Sequence, residues 1–293
     1  MPDRIGAYVI EELVGSGGMG VVYRGRDPRD GRAVAIKTLH AMTSDAISRE
    51  RFAREIFHMS RISHPGVVRV LDCGTSAHGL PYYAMELLSG IDASSIVRVH
   101  GPQPAARVLH LLRQAAAALG EAHRHGMIHR DVSPSNVLAC VQDGVFDVVK
   151  VIDFGLVKDL EGPSGFSLEG VVMGTPGYLP PESYGAFGRP DARTDVHMLA
   201  ATGYYLLTAC RPFPDSEASL YERARWKPVP PSLHLHAPVP ADLEAVLLAA
   251  LEPDPAHRPR DGAVLATALA ACTDVPPWTQ RDAGAWWANV TRR

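Results

Sequence analysis

From Tyr8 to about Glu86, hydrophobic positions alternate with polar ones or run in short apolar blocks. The stretches YVIEELVG, VVYRGRD, AVAIKTL, VVRVLDC and YYAMELL, separated by Gly, Asp and Pro, predict strands. One segment breaks this rhythm: SDAISRERFAREIFHMSRI sets Ile47, Phe52, Ile56 and Met59 near helical spacing. Beyond Gly90 the period changes. AARVLHLLRQAAAALGEAHRHG predicts a long Ala/Leu-rich helix stopped at Gly126, and TDVHMLAATGYYLLTA and ADLEAVLLAALEPD predict further helices. The proline-rich KPVPPSLHLHAPVP, from Lys227 to Pro240, reads as a surface connection. The tail WTQRDAGAWWANVTRR reads as a short amphipathic helix. Packing on the helical part is favoured over a partner surface for Trp278, Trp286 and Trp287. The pattern thus predicts a small strand-rich lobe over residues 8–86, a joint at 87–90 and a larger helical lobe over 91–273. An N-terminal extension at 1–7 and a Trp-rich helix within 274–293 flank them.

Composition narrows the function. The 293 residues suffice for one large domain or two packed lobes, and the formal net charge of −3 leaves no basic footprint for nucleic acid or an anionic membrane. No apolar run reaches the ~20 residues of a membrane span. The best candidate, LAATGYYLLTACRPF from Leu199, is cut by Arg211 and Pro212. MPDRIGAYVI has no secretory apolar core. Cys73, Cys140, Cys210 and Cys272 lie far apart without metal-ligand spacing, so buried reduced thiols in a cytoplasmic protein are expected. Lysine stands only at 37, 150, 158 and 227, the other basic residues being arginine, which hints that these few lysines are needed.

The chemistry begins at GSGGMGVV, Gly15 to Val22. Its G-x-G-x-x-G is shared with dinucleotide-binding folds, where the glycines open a helix after a strand. Here strand-like segments flank it on both sides and Val22 completes G-x-G-x-x-G-x-V, which describes a hairpin flap whose bare backbone can close over phosphates. VAIK follows in a strand, and Lys37 can reach α- and β-phosphates if an anion holds its ammonium. The neighbouring helix offers Glu50 and Glu55, and Glu55 is preferred. In VKVIDFG, Asp153 ends an apolar strand and can project onto a divalent cation; Asn136 adds a neutral oxygen, and oxygen ligation beside phosphates suits Mg²⁺. Asp131 can accept a hydrogen bond from a substrate hydroxyl.

With GSGGMGVV, VAIK, IHRDVSPSN, VKVIDFG, MGTPGYLPPE and DPAHRP in this order, the chain resembles the protein serine/threonine kinase family in its bacterial, eukaryotic-like form, over about Tyr8 to Ala271. The resemblance implies a bilobal α+β protein-kinase-like fold, ATP and Mg²⁺ as cofactors, and a protein substrate bearing Ser or Thr. It implies an ATP site made by Val14, Gly15, Ser16, Gly17, Gly18, Met19, Gly20 and Val22, with Ala35 and Leu138 about the adenine and Met85 as gatekeeper. Hinge hydrogen bonds would come from the backbone of Glu86 and Leu88, and Asp92 would lie near the ribose. Thr175 would sit beside Asp131, Glu182 would pair with Arg258, and Asp195 would hold the catalytic-loop backbone. Met59, Val70, His129 and Phe154 would stack as a spine, which is also ordinary core.

The departures are informative. Ser133 replaces the lysine that would neutralise the γ-phosphate, and Ser135 is not the arginine used there by many tyrosine kinases. Ala200 stands where a glycine is usual, and Tyr205 stands where some relatives that prefer basic substrates have glutamate. An active ATP-dependent protein kinase is the preferred reading. A pseudokinase, binding nucleotide or serving as a scaffold, competes on account of Ser133; a small-molecule phosphotransferase is disfavoured by GTPGYLPPE and Arg258. Arg130 and Lys158 would receive an anion from the activation segment, with Glu169 as standing charge and Ser167, beside Ser164, as a phosphorylation site. Substrate identity, activating signal and oligomeric state are not legible in these residues.

Overall fold

The computed structural model describes residues 2–17, 20–39, 52–53, 56–57, 59–154, 175, 177–184, 187, 189–213, 226–235 and 238–290. The chain divides into two compact units between Ser89 and Gly90.

The first unit is built on an antiparallel sheet of β1 (Arg4–Ile5), β2 (Tyr8–Gly17), β3 (Gly20–Arg26), β4 (Ala33–Thr38), β5 (Val70–Thr75) and β6 (Pro81–Glu86), ordered β1-β2-β3-β4-β6-β5. Alternation along β4 and β6 sorts the faces. Val34, Ile36, Tyr82 and Ala84 join Ile5, Tyr8 and Ile10 in one buried cluster. Val22 pairs with Lys37, Lys37 with Tyr83, and Ala35 with Met85, so these residues share the opposite face. Residues 52, 53, 56, 57 and 59 are helical, with Phe52, Ile56 and Met59 buried as the helical spacing requires. The sheet begins earlier than the expected start at Tyr8. Arg4 pairs with Val9, and Ile5 is buried, so residues 4–5 are sheet rather than extension.

The second unit opens with β7 (Gly90–Asp92) and α1 (Ala93–His100), followed by α2 (Ala105–Arg124), β8 (Val137–Gln142) and β9 (Val145–Val151). It continues with α3 (Ala192–Thr208), α4 (Ala241–Ala250), α5 (Gly262–Ala270) and α6 (Gln280–Val290). Strands β7-β8-β9 form a small sheet. The β8–β9 turn is Asp143-Gly144 with φ of 50° and 79°, the two positive values of a type I′ hairpin. α2 ends as its sequence predicts: Gly126 has φ 72°, its N–H bonds His123 O at 3.0 Å and Met127 N–H bonds Ala122 O at 3.0 Å, a Schellman closure. α3 is buried from Thr194 to Thr208 except at Tyr205, the signature of a central helix, and Asp191 with Thr194 caps its start in a capping box.

Two glycines let α2 and α5 touch backbone to backbone. A Cβ on Gly120 would lie 2.6 Å from Ala263 N, and one on Gly262 would lie 2.5 Å from Gly120 N. The cysteines depart from the expected burial. Cys140 is buried, but Cys73 lies on edge strand β5 and Cys210 just beyond α3, both exposed. Among the described residues no helix is long and apolar enough to cross a membrane.

Candidate active site

In the first unit the antiparallel register gathers the expected nucleotide residues on one sheet face. Val22, Ala35, Lys37 and Met85 lie there, Lys37 only 4% exposed on β4 and Met85 9% on β6. Gly15, Ser16 and Gly17 end β2 and Gly20 begins β3, so the glycine-rich stretch is a strand-to-strand connection, not a helix start; Gly18 and Met19 lie outside the described residues. Val14 is exposed on β2. At the end of β6, Glu86 N–H donates to Arg69 O at 3.0 Å and Glu86 Oε1 accepts Arg69 N–H at 2.8 Å; Leu88 follows, half-buried. Glu50 and Glu55, the candidate partners of Lys37, lie outside the described residues, as do Lys158, Ser164, Ser167 and Glu169.

In the second unit a buried carboxylate shapes the loop from His129 to Asn136. Asp195, near the start of α3, is wholly buried and accepts the N–H groups of His129 and Arg130, each at 2.7 Å. Those bonds fit the Arg130 backbone at φ 61°, a left-handed geometry that an ordinary side chain holds only when neighbours enforce it. His123 Nε2 donates to Asp195 at 2.9 Å, while its Nδ1 accepts Gly262 N–H at 3.0 Å, tying α2, α5 and α3 together behind the loop. The His129 ring is oriented by similar logic. Its Nε2 lies 2.9 Å from Ile152 O, which can only accept, and its Nδ1 accepts Asp131 N–H at 3.2 Å. Phe154 packs 4.6 Å from that ring.

Two side chains then meet at Asp131. Asn136 Nδ2 donates to Asp131 O at 2.8 Å and lies 3.4 Å from its Oδ2, and Thr175 Oγ1 donates to Oδ1 at 3.3 Å. Because that carbonyl only accepts, the Asn136 amide nitrogen must face it, which leaves Oδ1 as the side chain's acceptor atom. Asn136 O accepts Ile152 N–H at 3.0 Å, so Asp153 at φ 57° follows directly on a strand end pinned to Asn136. Among the described residues no group of three or more His, Cys, Asp or Glu side chains stands ready to hold a metal alone. One carboxylate and one amide oxygen, Asp153 and Asn136, fit Mg²⁺, which keeps water and phosphate oxygens as its remaining ligands. Ser133 is wholly buried, its hydroxyl 2.9 Å from that of Ser135.

Around this loop, Asp92 caps α1 through Ser95 N–H at 2.8 Å and also accepts from Ser94. Burial opposes its ionisation, yet these hydrogen bonds hold its carboxyl below the usual range. Leu138 pairs with Asp92 across β7–β8. Glu182 and Arg258 form a two-pronged ion pair, 2.7 and 3.0 Å, with side chains 1% and 0% exposed. Arg258 also donates to Glu252 O and Pro253 O, and Thr194 Oγ1 donates to Glu182 at 2.9 Å. Burial pulls the His197 imidazole on α3 well below its ordinary pKa, and the Arg258 charge adds to this.

The family described as protein kinase domain matches residues 8–269. This chain belongs to the protein kinase family. Curated relatives include serine/threonine-protein kinase PknB of Mycobacterium leprae, 37% identical over 264 residues, covering 88% of this chain and 41% of that protein. The DNA damage-responsive serine/threonine-protein kinase RqkA of Deinococcus radiodurans is 38% identical over 264 residues, covering 89% of this chain and 39% of that protein. The chain thus spans about two-fifths of the length of these kinases. Among solved structures, the Mycobacterium tuberculosis PknI kinase domain superposes with a TM-score of 0.68 at 29% identity, covering 92% of this chain and 97% of that one. The strand-rich and helical units are those of a bilobal α+β kinase fold.

Within the kinase fold, Asp195, Glu182 and Arg258 stand where the motifs imply. His123 was not anticipated. Its signal is faint: a polar residue in the last turn of an otherwise apolar helix face.

Proposed function

We propose that this chain is an ATP-dependent serine/threonine protein kinase. The observation that carries the reading is the convergence of Asn136 and Thr175 on Asp131, in a loop whose backbone N–H groups are held by Asp195. Asp131 accepts a hydrogen bond from the substrate hydroxyl and aims its oxygen at the γ-phosphorus. The new P–O bond forms as the bond to the β-phosphate oxygen breaks, ADP leaves, and the hydroxyl proton passes to the carboxylate. Asn136 and Asp153 would hold Mg²⁺, which when bound would neutralise charge on the phosphate oxygens. Lys37 positions the α- and β-phosphates. Val14 to Gly20 cover them, Val22, Ala35 and Leu138 flank the adenine, and Met85, Glu86, Leu88 and Asp92 complete the nucleotide contacts. Thr175 shapes the pocket for Ser or Thr, and Arg130 answers charge in the activation segment. A cytoplasmic setting is part of this reading, since ATP is the phosphate donor it requires.

Ser133 favours a second reading, a pseudokinase, because its hydroxyl is turned to Ser135 and no catalytic-loop lysine stands there. Retention of Lys37, Asp131, Asn136 and Asp153 weighs for the active enzyme, since a scaffold needs neither base nor metal ligands. The missing cation costs about 2–4 kcal/mol of transition-state stabilisation, the scale for one preorganised donor. Purified protein with labelled Mg-ATP and a generic protein substrate is expected to transfer phosphate slowly. Ser133→Lys is expected to raise kcat roughly 10²-fold or more per folded molecule, and to lower stability because the lysine enters a wholly buried position. An unchanged or lower kcat would show a site built around the serine.

A further inference from the structure

The helical unit carries a buried charge pair whose partners are completed from outside the family match, which stops at residue 269. Asp147, on β9, is wholly buried, and so is Arg107 on α2. Arg107 donates to it twice, Nη2 to Oδ1 at 2.7 Å and Nε to Oδ2 at 2.9 Å. The other two donors are indoles of the tail: Trp287 Nε1 reaches Oδ1 at 2.8 Å and Trp278 Nε1 reaches Oδ2 at 2.9 Å. An ionised carboxylate has about four acceptor sites, and here every one is taken. On the cation's side, Nη1 donates to Gln103 Oε1 at 2.8 Å, and the guanidinium carbon lies 3.4 Å from the Trp286 ring centroid, a close cation–π contact.

The tail also grips the strand itself. Gln280 accepts Phe146 N–H at 2.8 Å and donates to Phe146 O at 3.0 Å, pairing with edge strand β9 as another strand would. Gly284 lets α6 come close, since a Cβ there would lie 3.2 Å from the Phe146 ring, and Ala283 and Trp287 are buried one turn apart. Removing two ions from water is costly, and the mutual attraction offsets that cost only when the remaining lone pairs and N–H groups are also satisfied. Without the tail, the carboxylate would lose half its donors and the guanidinium its aromatic cover.

We infer that the surface formed by Arg107, Asp147 and Phe146 is a docking site for an indole-bearing tail, occupied in cis by Trp278 ahead of α6 and by Trp286 and Trp287 on it. The folding unit therefore extends past residue 269 through Val290. The competing view is a tail helix that rests on the surface and detaches freely. Hydrogen exchange of ¹⁵N-labelled tryptophan in the full chain separates the two. The Trp278 and Trp287 indole N–H groups are expected to exchange as slowly as backbone amides in the interior of α2, opening only with the unit as a whole. Indoles that exchange orders of magnitude faster than α2 would overturn the inference. In Trp287→Phe, exchange at the Trp278 indole is expected to rise by more than about tenfold, and an unchanged rate would also overturn it. Asp147→Asn offers a second variant, because asparagine tolerates the φ of 55° found there while turning one acceptor oxygen into an amide that faces an indole N–H and an Arg107 N–H, and removing the charge that both indoles bind. It is expected to speed exchange at both indoles, and unchanged protection at both would count against the docking.

Discussion

Asp153→Asn is expected to abolish phosphotransfer, by more than about 10³-fold, while the protein without nucleotide melts nearly as wild type does. Asparagine is the informative replacement. Asp153 has φ 57°, a left-handed conformation that asparagine shares with aspartate and alanine resists, so an alanine variant would mix backbone strain with lost metal binding. The Asn136–Ile152 backbone bond that sets this strand end is untouched by the change. Melting with and without Mg-ATP gives the readout. Saturating ligand at a hundred times its Kd stabilises wild type by about 2.7 kcal/mol through linkage, and Asp153→Asn should lose most of the Mg²⁺-dependent part. A variant with the full Mg²⁺-dependent shift would remove Asp153 from the metal role. Lys37→Met, on the first unit's sheet face, is expected to lose activity as completely, through the phosphates instead of the metal.

The largest effect on stability is expected at Arg258. Its guanidinium satisfies Glu182 with two buried bonds and also donates to the carbonyls of Glu252 and Pro253. Arg258→Met would leave Glu182 buried with Thr194 as its remaining hydrogen-bond donor among the described residues. Breaking one side of such a pair costs about 3–5 kcal/mol, against about 0–1 for an exposed pair. Urea unfolding of the two proteins checks this: a loss under about 1 kcal/mol would mean the pair contributes no more than a surface contact.

Local signals carried much of the fold. Alternation marked β2, β3, β4 and β6, and Gly126 marked the end of α2, because strand period and helix closure are written in neighbouring residues. The β8–β9 hairpin is equally legible: Asp143-Gly144 between apolar runs is a strong short-range turn signal. Asp92, an Asx residue before ASSIVRVH, also announces the cap of α1. Long-range partners divide differently. Glu182 with Arg258, and Asp195 with the loop backbone, were reached through the resemblance. Asp147 with Arg107, Trp278 and Trp287 was not, because its partners lie 40, 131 and 140 residues away and outside any motif. The small residues at Gly120 and Gly262 show the same limit, since a close helix approach has meaning only once both helices are placed.

The central claim is that IHRDVSPSN transfers phosphate despite the serine at 133. It is tested most directly by kcat for wild type and Asp131→Asn under saturating Mg-ATP, with nucleotide binding measured on both. The expected result is slow but measurable turnover in wild type, below the family range of about 1–100 s⁻¹, and a much lower rate in Asp131→Asn with binding intact. Wild type and Asp131→Asn equally inert while both still bind Mg-ATP would contradict the account and leave the pseudokinase in its place.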